Sequence, residues 1–429
     1  MKRKKLLLNF VLAFVISVNL AGCSSEMPTD LTLQLRTENA SDTSSEDLDN
    51  KDISGKPADE LFISSQMNYS VTLFKSAILE SKNKNILISP LSAQLALAMT
   101  AGGANGETKN EMENLLADEI PLEQLNEYLY NYVKSLPSED TGKLQIANSI
   151  WLRDDDNSLV VRDDFLRNNA DYYDAQTYKL PFDEKALNSI NNWVDKHTDG
   201  MIDKIIDDID ASTIMYLINA LVFDAEWETP YKEDKISDGT FTSISGEQQN
   251  ATMMTSSESQ YLDDGKATGF IKDYANGNYR FVALLPNEGV DIYDYINGLT
   301  YEGILDTLNN AQTDSVMATM PKFSYSYELS LNNTLIKLGM TSAFDENAAD
   351  FSNMAECSSG NIYIGDVLHK TFISVDEKGT KAGAVSKVEM AKNSMLEPGF
   401  IVNLDRPFVY MVVDGETNLP IFIGALMNI

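Results

Sequence analysis

The stretch Val375-Asp376-Glu377-Lys378-Gly379-Thr380-Lys381-Ala382-Gly383-Ala384-Val385-Ser386-Lys387-Val388-Glu389-Met390, near the C-terminus, decides how the rest of the chain is read. Every second residue from Thr380 (Thr380, Ala382, Ala384, Ser386, Val388, Met390) is uncharged, and most are small. The interleaved residues Lys381, Gly383, Val385, Lys387 and Glu389 carry all the charge of 380–390. That is the period of a strand with one buried and one exposed face. Yet Gly379, Ala382, Gly383 and Ala384 are weak strand formers. The pattern predicts a segment that can enter a sheet without being a permanent member of it. After Met390 the run A-K-N-S-M-L-E-P-G reads as an exposed loop ending at Pro398-Gly399, and strand patterning returns over 408–426.

Working outward, residues 1–22 read as a lipoprotein signal peptide. Lys2, Arg3, Lys4 and Lys5 precede a short apolar run, followed by Leu20-Ala21-Gly22-Cys23. The last four residues resemble the bacterial lipobox. That resemblance implies cleavage before Cys23 and a diacylglycerol on its sulfur, and hence a protein anchored by lipid at the bacterial surface, facing outward. Residues 23–57 hold eight acidic residues, three basic ones and no aromatic residue. They are expected to form a disordered acidic tether. Residues 58–429 show no second linker and read as one domain.

The net charge of −32 disfavours nucleic acid as a partner. Cys23 and Cys357 are the only cysteines, so no disulfide framework is expected, and Cys357 reads as a lone loop thiol.

Helices are predicted over 61–80, 91–101, 106–117, 162–173, 187–199, 292–298, 301–310 and 329–338. Residues 86–88 read as a short buried strand leading to Ser89-Pro90, a helix cap with proline in the first turn. Further strands are predicted over 144–152, 175–180, 259–262, 268–273, 279–286, 315–321 and 322–328. Residues 154–157 read as a solvated acidic turn. Residues 213–223 are almost unbroken in apolarity and read as a central strand buried on both faces, where Asn219 must find hydrogen-bond partners. Helices early and strands late indicate an α+β fold with one large sheet.

Enzyme chemistry finds little support. His197 sits in a polar helix end and reads as solvated, while His369 lies beside an apolar strand. Neither comes with a nucleophile elbow, a zinc-binding H-E-x-x-H or a phosphate loop, and no cofactor or metal is expected.

The segments N-I-L-I-S-P-L-S, A-N-S-I-W-L, N-W-V-D-K-H-T-D-G-M-I, L-G-M-T-S-A-F, A-D-F-S-N-M, V-L-H-K, V-D-E-K-G-T-K-A-G-A-V, R-P-F-V-Y and F-I-G-A-L occur in that order. Together they resemble the serpins over residues 58–429. The resemblance implies three β-sheets, about nine helices and an exposed reactive-centre loop. It also implies a suicide-substrate inhibitor of serine proteases, acting as a monomer, with cysteine proteases open as targets. In that mechanism the protease forms an acyl-enzyme with the loop. The loop's N-terminal part then inserts as an extra strand and carries the protease to the far pole.

Glu377, Gly379 and Thr380, followed by Ala382, Gly383, Ala384, Val385 and Ser386, resemble the hinge of inhibitory members; Lys381 departs from the usual acidic residue. Ser89, Ser92, Asn219 and His369 resemble the shutter where the sheet opens. Trp227 resembles the tryptophan beneath the loop's mouth, though F-D-A-E-W carries Asp224 and Glu226 where basic residues are commoner. Lys322 resembles the partner of Glu377. Counting seventeen residues from Glu377 puts the reactive bond at Asn393-Ser394. Counting back from Arg406-Pro407-Phe408 gives Leu396, and Lys392 and Met395 remain alternatives. A non-inhibitory serpin serving as a surface binding module is the competing reading.

Overall fold

The computed structural model describes residues 28–35, 53, 55–138, 142–210, 213–358, 360–380 and 399–429. The first third is mostly helical: α1 (Glu60–Glu80), β1 (Ile86–Ile88), α2 (Pro90–Ala101), α3 (Gly106–Ala117) and α4 (Leu122–Ser135). Then come β2 (Gly142–Arg153), β3 (Leu159–Val161), α5 (Asp163–Tyr173), β4 (Gln176–Leu180), α6 (Glu184–His197) and β5 (Met215–Glu226). Strands dominate afterwards: β6 (Ile236–Thr242), β7 (Gln248–Asp263), β8 (Ala267–Asp273) and β9 (Tyr279–Pro286). Helices α7 (Ile292–Gly298) and α8 (Tyr301–Asn309) lead to β10 (Gln312–Pro321), β11 (Phe323–Ser330) and α9 (Asn332–Lys337). The chain ends with β12 (Ala355–Cys357), β13 (Asp366–Val375), β14 (Gly379–Thr380), β15 (Phe400–Asn403), β16 (Phe408–Asp414) and β17 (Pro420–Leu426).

These strands form three sheets. Six strands follow the order β11-β13-β14-β5-β2-β4; nine form a second sheet; β3 and β12 pair alone. β5 is the centre of the six-stranded sheet because its apolar run can be buried on both faces. Leu217, Leu221, Phe223 and Ala225 face the main core, while Tyr216, Ile218 and Ala220 face a second cluster built around Trp151 and Trp193. Its partner β2 lies antiparallel to it over the full length, from Gly142 opposite Ala225 to Leu152 opposite Met215. Burying one such aliphatic side chain contributes about 1.5–3 kcal/mol, so this pair of strands is a rigid wall. Ser89 caps α2 by accepting the Ser92 amide, with Pro90 in the first turn, and α2 is buried from end to end beneath the sheet.

Several expectations need correction. Helix α4 was not anticipated, although Leu122, Leu125, Leu129 and Tyr132 recur at helical spacing and are buried. β6 was also missed; its exposed, polar residues look like a loop until they pair with β7. The helix expected over 329–338 begins only at Asn332, because Leu329 and Ser330 continue β11 opposite His369 and Leu368. Asp154 is buried rather than solvated: it accepts the Leu159 amide at 3.1 Å and pairs with Lys179 at 3.4 Å. Cys357 ends strand β12, 3.6 Å from the Ser158 hydroxyl, and is not a loop thiol. His197 stacks on Trp193 with centroids 4.1 Å apart, its Nδ1 2.7 Å from the Trp193 carbonyl.

The tether expectation also changes. Asp30 bridges to Tyr178 on the outer edge of β4, and its carboxylate accepts the Thr177 amide at 3.3 Å. A helical turn over 31–35 follows, with Thr32 buried and Leu31 and Leu35 lining one groove with Leu159, Val161 and Leu166. This segment covers part of an exposed sheet edge, where unpaired backbone groups would otherwise face water. The Lys56 amide donates to the Glu127 carbonyl, so contact with the domain resumes before residue 58. Deleting residues 1–52 should therefore lower the melting temperature of the native protein by about 2–4 °C; an unchanged melting temperature would show that the segment adds nothing.

Candidate functional site

The geometry is set by one break in the six-stranded sheet. β13 and β5 run parallel, and among the described residues their ladder is confined to Asp366–Tyr216 and Val367–Leu217. At the opposite end Gly379 and Thr380 sit between them, antiparallel to both: Thr380 is opposite Val375 on β13 and Ala225 on β5. The two strands are thus joined at one end and wedged at the other. Gly379 is required here by close approach, since a Cβ would lie 2.0 Å from the Ala225 carbonyl oxygen.

The turn that delivers this wedge is held from below. The Asp376 carboxylate accepts the amides of Lys378 at 2.7 Å and Gly379 at 3.2 Å, closing an Asx turn. The Trp227 indole donates to the Asp376 carbonyl at 2.9 Å, and its amide donates to the Lys378 carbonyl at 2.8 Å. The Tyr231 amide donates to the Glu377 carbonyl at 2.9 Å. The hydroxyls of Tyr274 and Thr380 are hydrogen-bonded to each other, and Tyr274 stacks on Trp227 with centroids 4.4 Å apart. Lys322 ion-pairs with Glu377, and its hydrogen bond holds the Glu377 carboxyl below the usual range. The pair is about one-third exposed, so its worth is modest. Behind it the buried Lys272 pairs with Glu258 at 2.9 Å and lies over the Tyr231 ring at 4.5 Å.

Ser89, Ser92, Asn219 and His369 come together two residues beyond the point where the β13–β5 ladder ends. The Ser92 hydroxyl donates to the Asn219 side-chain oxygen, and Asn219 donates in turn to Asn148 on β2. Asn148 donates to the Tyr173 carbonyl at 2.9 Å, linking β5 and β2 to α5. The Ser89 amide donates to His369 Nε2 at 3.1 Å, which places the proton of the neutral ring on Nδ1. Burial pushes the His369 pKa down to about 4. The ring is therefore neutral, and it joins the start of α2 to β13.

Asn148 was not singled out in advance. Its signal is its phase: it shares a face of β2 with Leu144, Ile146, Ile150 and Leu152. Tyr231, Tyr274 and the Lys272–Glu258 pair were missed too, because their contacts join strands far apart in sequence. Lys381, Ala382, Gly383, Ala384, Val385, Ser386, Lys392, Asn393, Ser394, Met395, Leu396 and Cys23 lie outside the described residues. Among the described residues no group of His, Cys, Asp and Glu could hold a metal.

A family model described as serpin (serine protease inhibitor) matches residues 64–429. The chain belongs to the serpin family. Serpins are generally protease inhibitors rather than enzymes. An uncharacterized serpin-like protein of Thermococcus kodakarensis is 28% identical, covering 100% of this chain and 99% of its own length. The alpha-1-antiproteinase of Rattus norvegicus is 27% identical over 84% of this chain and 87% of its own. The native-state crystal structure of the thermophilic serpin tengpin is 44% identical, with a TM-score of 0.85 over 94% of this chain and all of that one. The latent state of tengpin fits less well, at 0.77 over 87% of this chain.

His369 gives a stability prediction with a definite sign. Its folded pKa of about 4 lies below the ordinary value of 6.5. Below pH 6.5 the unfolded chain takes up a proton that the folded site refuses. The residue's contribution is present above pH 6.5 and is lost as pH falls toward 4, by up to about 3 kcal/mol. His369→Gln should flatten the pH dependence of the urea midpoint between pH 4 and 6.5; an unaltered slope would contradict this.

Proposed function

We propose that this serpin is a suicide-substrate inhibitor of extracellular serine proteases, trapping the acyl-enzyme by inserting its cleaved loop between β13 and β5. The observation that carries this reading is the seat of Gly379 and Thr380. It sets a register that the residues beyond can follow. Continued, it puts Ala382 opposite Phe223, Ala384 opposite Leu221, Val388 opposite Leu217 and Met390 opposite Met215. All of these face the main core, and none carries charge. Ser386 is the one polar residue of that inward set beyond Thr380, and it would arrive opposite Asn219 on β5 and His369 on β13. A hydroxyl thus meets the buried polar groups that need partners, and small apolar side chains meet the rest.

The same register supports the choice of bond. Met390 would reach the first residue of β5, so cleavage at Asn393-Ser394 would leave three residues past the sheet, enough to carry the ester clear of it. The inserted strand, 380–390, spans about 35 Å at ~3.3 Å per residue, and the protease would move by that order. Lys392, Met395 and Leu396 remain the alternative bait positions. Cleavage of the leader and lipidation of Cys23 would hold the inhibitor at the bacterial surface, where such proteases are met.

Incubation with trypsin, elastase and subtilisin should yield a complex that survives SDS with at least one of them. Mass spectrometry of the released C-terminal peptide would then identify the bond. Loop cleavage should raise the melting temperature sharply, because a strand is added to the central sheet. Thr380→Arg would place a charge against Tyr274 and Ala225, and should turn the inhibitor into a substrate that is cut and released. Simple cleavage of the wild type by every protease, with no rise in stability, would refute the reading.

A further inference from the structure

The turn at 376–379 is held from outside by three donors, the Trp227 indole and the Trp227 and Tyr231 amides. All three belong to one short segment, 227–231, and that segment rests on a buried cation. The Lys272 side chain of β8 is 2% exposed, and that of its partner Glu258 on β7 is 13% exposed. The Lys272 ammonium donates to the Glu258 carboxylate at 2.9 Å and to the Thr229 carbonyl at 3.1 Å. It lies over the Tyr231 ring at 4.5 Å and the Trp227 ring at 5.4 Å. Among the described residues, the backbone ties between this segment and the end of β8 stop short of Thr229. Trp227 bridges to Tyr274, and the Glu228 amide donates to the Asp273 carbonyl at 3.0 Å. Pro230 has no amide to offer. The next donor is the Tyr231 amide, which takes the Glu377 carbonyl. The Lys272 side chain thus reaches the segment between its last backbone tie to β8 and its second bond to the hinge.

We propose that Lys272 is a positioning residue for the hinge: by holding the Thr229 carbonyl it aims Trp227 and Tyr231 at residues 376–379. The proposal rests on the insertion reading above, in which the seated hinge is the start of the entering strand. Burying an ammonium and a carboxylate is costly, and an apolar pair of similar volume is often at least as stable. An apolar side chain at 272 would, however, offer no donor to Thr229 and no charge to the faces of the two rings. A bond from a charged donor is stronger than a neutral one, and this one comes from a side chain rooted in the nine-stranded sheet. The seat of Gly379 and Thr380, in the six-stranded sheet, is therefore fixed relative to the other sheet through one ammonium. Removing that bond frees residues 229–231. A hinge that is seated for less of the time enters more slowly, while deacylation runs on unchanged.

The test uses the full-length protein and two variants. Lys272→Met with Glu258→Gln removes the bond to Thr229 without leaving a lone buried charge, and Lys272→Arg keeps a cationic donor. The first readout is hydrogen exchange at the Trp227 and Tyr231 amides, set against the amides of the β2–β5 ladder. In the double variant, protection at 227 and 231 should fall roughly tenfold relative to the ladder, and Lys272→Arg should keep it within about threefold of wild type. The second readout is the moles of serpin consumed per mole of protease trapped. That ratio should rise roughly threefold in the double variant and stay near the wild-type value in Lys272→Arg. A merely structural pair would lower protection of the ladder and of 227–231 alike and leave the ratio unmoved, and that result overturns the proposal. A local loss in Lys272→Arg equal to that of the double variant overturns it too. If the double variant does not fold, Lys272→Gln with Glu258→Gln is read in its place against the same outcomes. A wild type that traps no protease means that the inhibitory reading has failed, and the exchange measurement then decides the role of Lys272 by itself.

Discussion

Two parallel strands, β13 and β5, share a sheet but among the described residues are laddered only through Asp366 and Val367. Buried backbone amides and carbonyls need partners, so a parting of this kind must be managed at both ends. At the closed end, polar side chains take over where the ladder stops: Asn219 is held by Ser92 and Asn148, and His369 by the Ser89 amide. At the open end, Gly379 and Thr380 supply two residues of strand. Between these ends, no ladder joins β13 to β5 among the described residues. β2 keeps β5 straight, α2 supports the polar cluster from below, and the aromatic platform of Trp227, Tyr231 and Tyr274 fixes where the wedge stops.

That platform fixes Gly379 and Thr380 in their place between β13 and β5. Its bonds hold the backbone of 376–379 in a turn, through the Asx contacts of Asp376 and the two bonds from Trp227. Thr380 is buried and satisfied by Tyr274. In the proposed insertion, the loop would pass the polar cluster at Asn219 and His369, and β13 and β5 would have to make room there.

Much of this was legible in the sequence because it depends on local constraints. The cap at Ser89-Pro90, the apolar run of β5 and the misplaced polarity of Asn219 each follow from a rule about a few neighbouring positions. What was missed depends on distant partners. Asn148 looks like an ordinary strand residue until it lies opposite Asn219. Asp154 sits in an acidic turn, and its burial follows only from Lys179 and the Leu159 amide. β6 has few apolar residues and becomes a strand by pairing with β7. Residues 28–35 have a composition that promises disorder, and one carboxylate at Asp30 and two leucines, Leu31 and Leu35, were enough to fasten them to the domain.

That fastening changes a length. A lipid on Cys23 followed by a free tether to residue 58 would let the domain range roughly 120 Å from the bilayer, at about 3.5 Å per residue fully extended. With Asp30 held at Tyr178, a lipid on Cys23 would lie only seven steps of chain from the fold, a leash of about 25 Å. Tyr178 lies on β4 beside the end of β2 nearest Arg153, which is the end of the sheet remote from Thr380. A lipid-held molecule would thus stand with its loop pointing outward and its closed end toward the membrane. A protease carried down the slot would be delivered into the narrow space beneath, pressed between its captor and the bilayer.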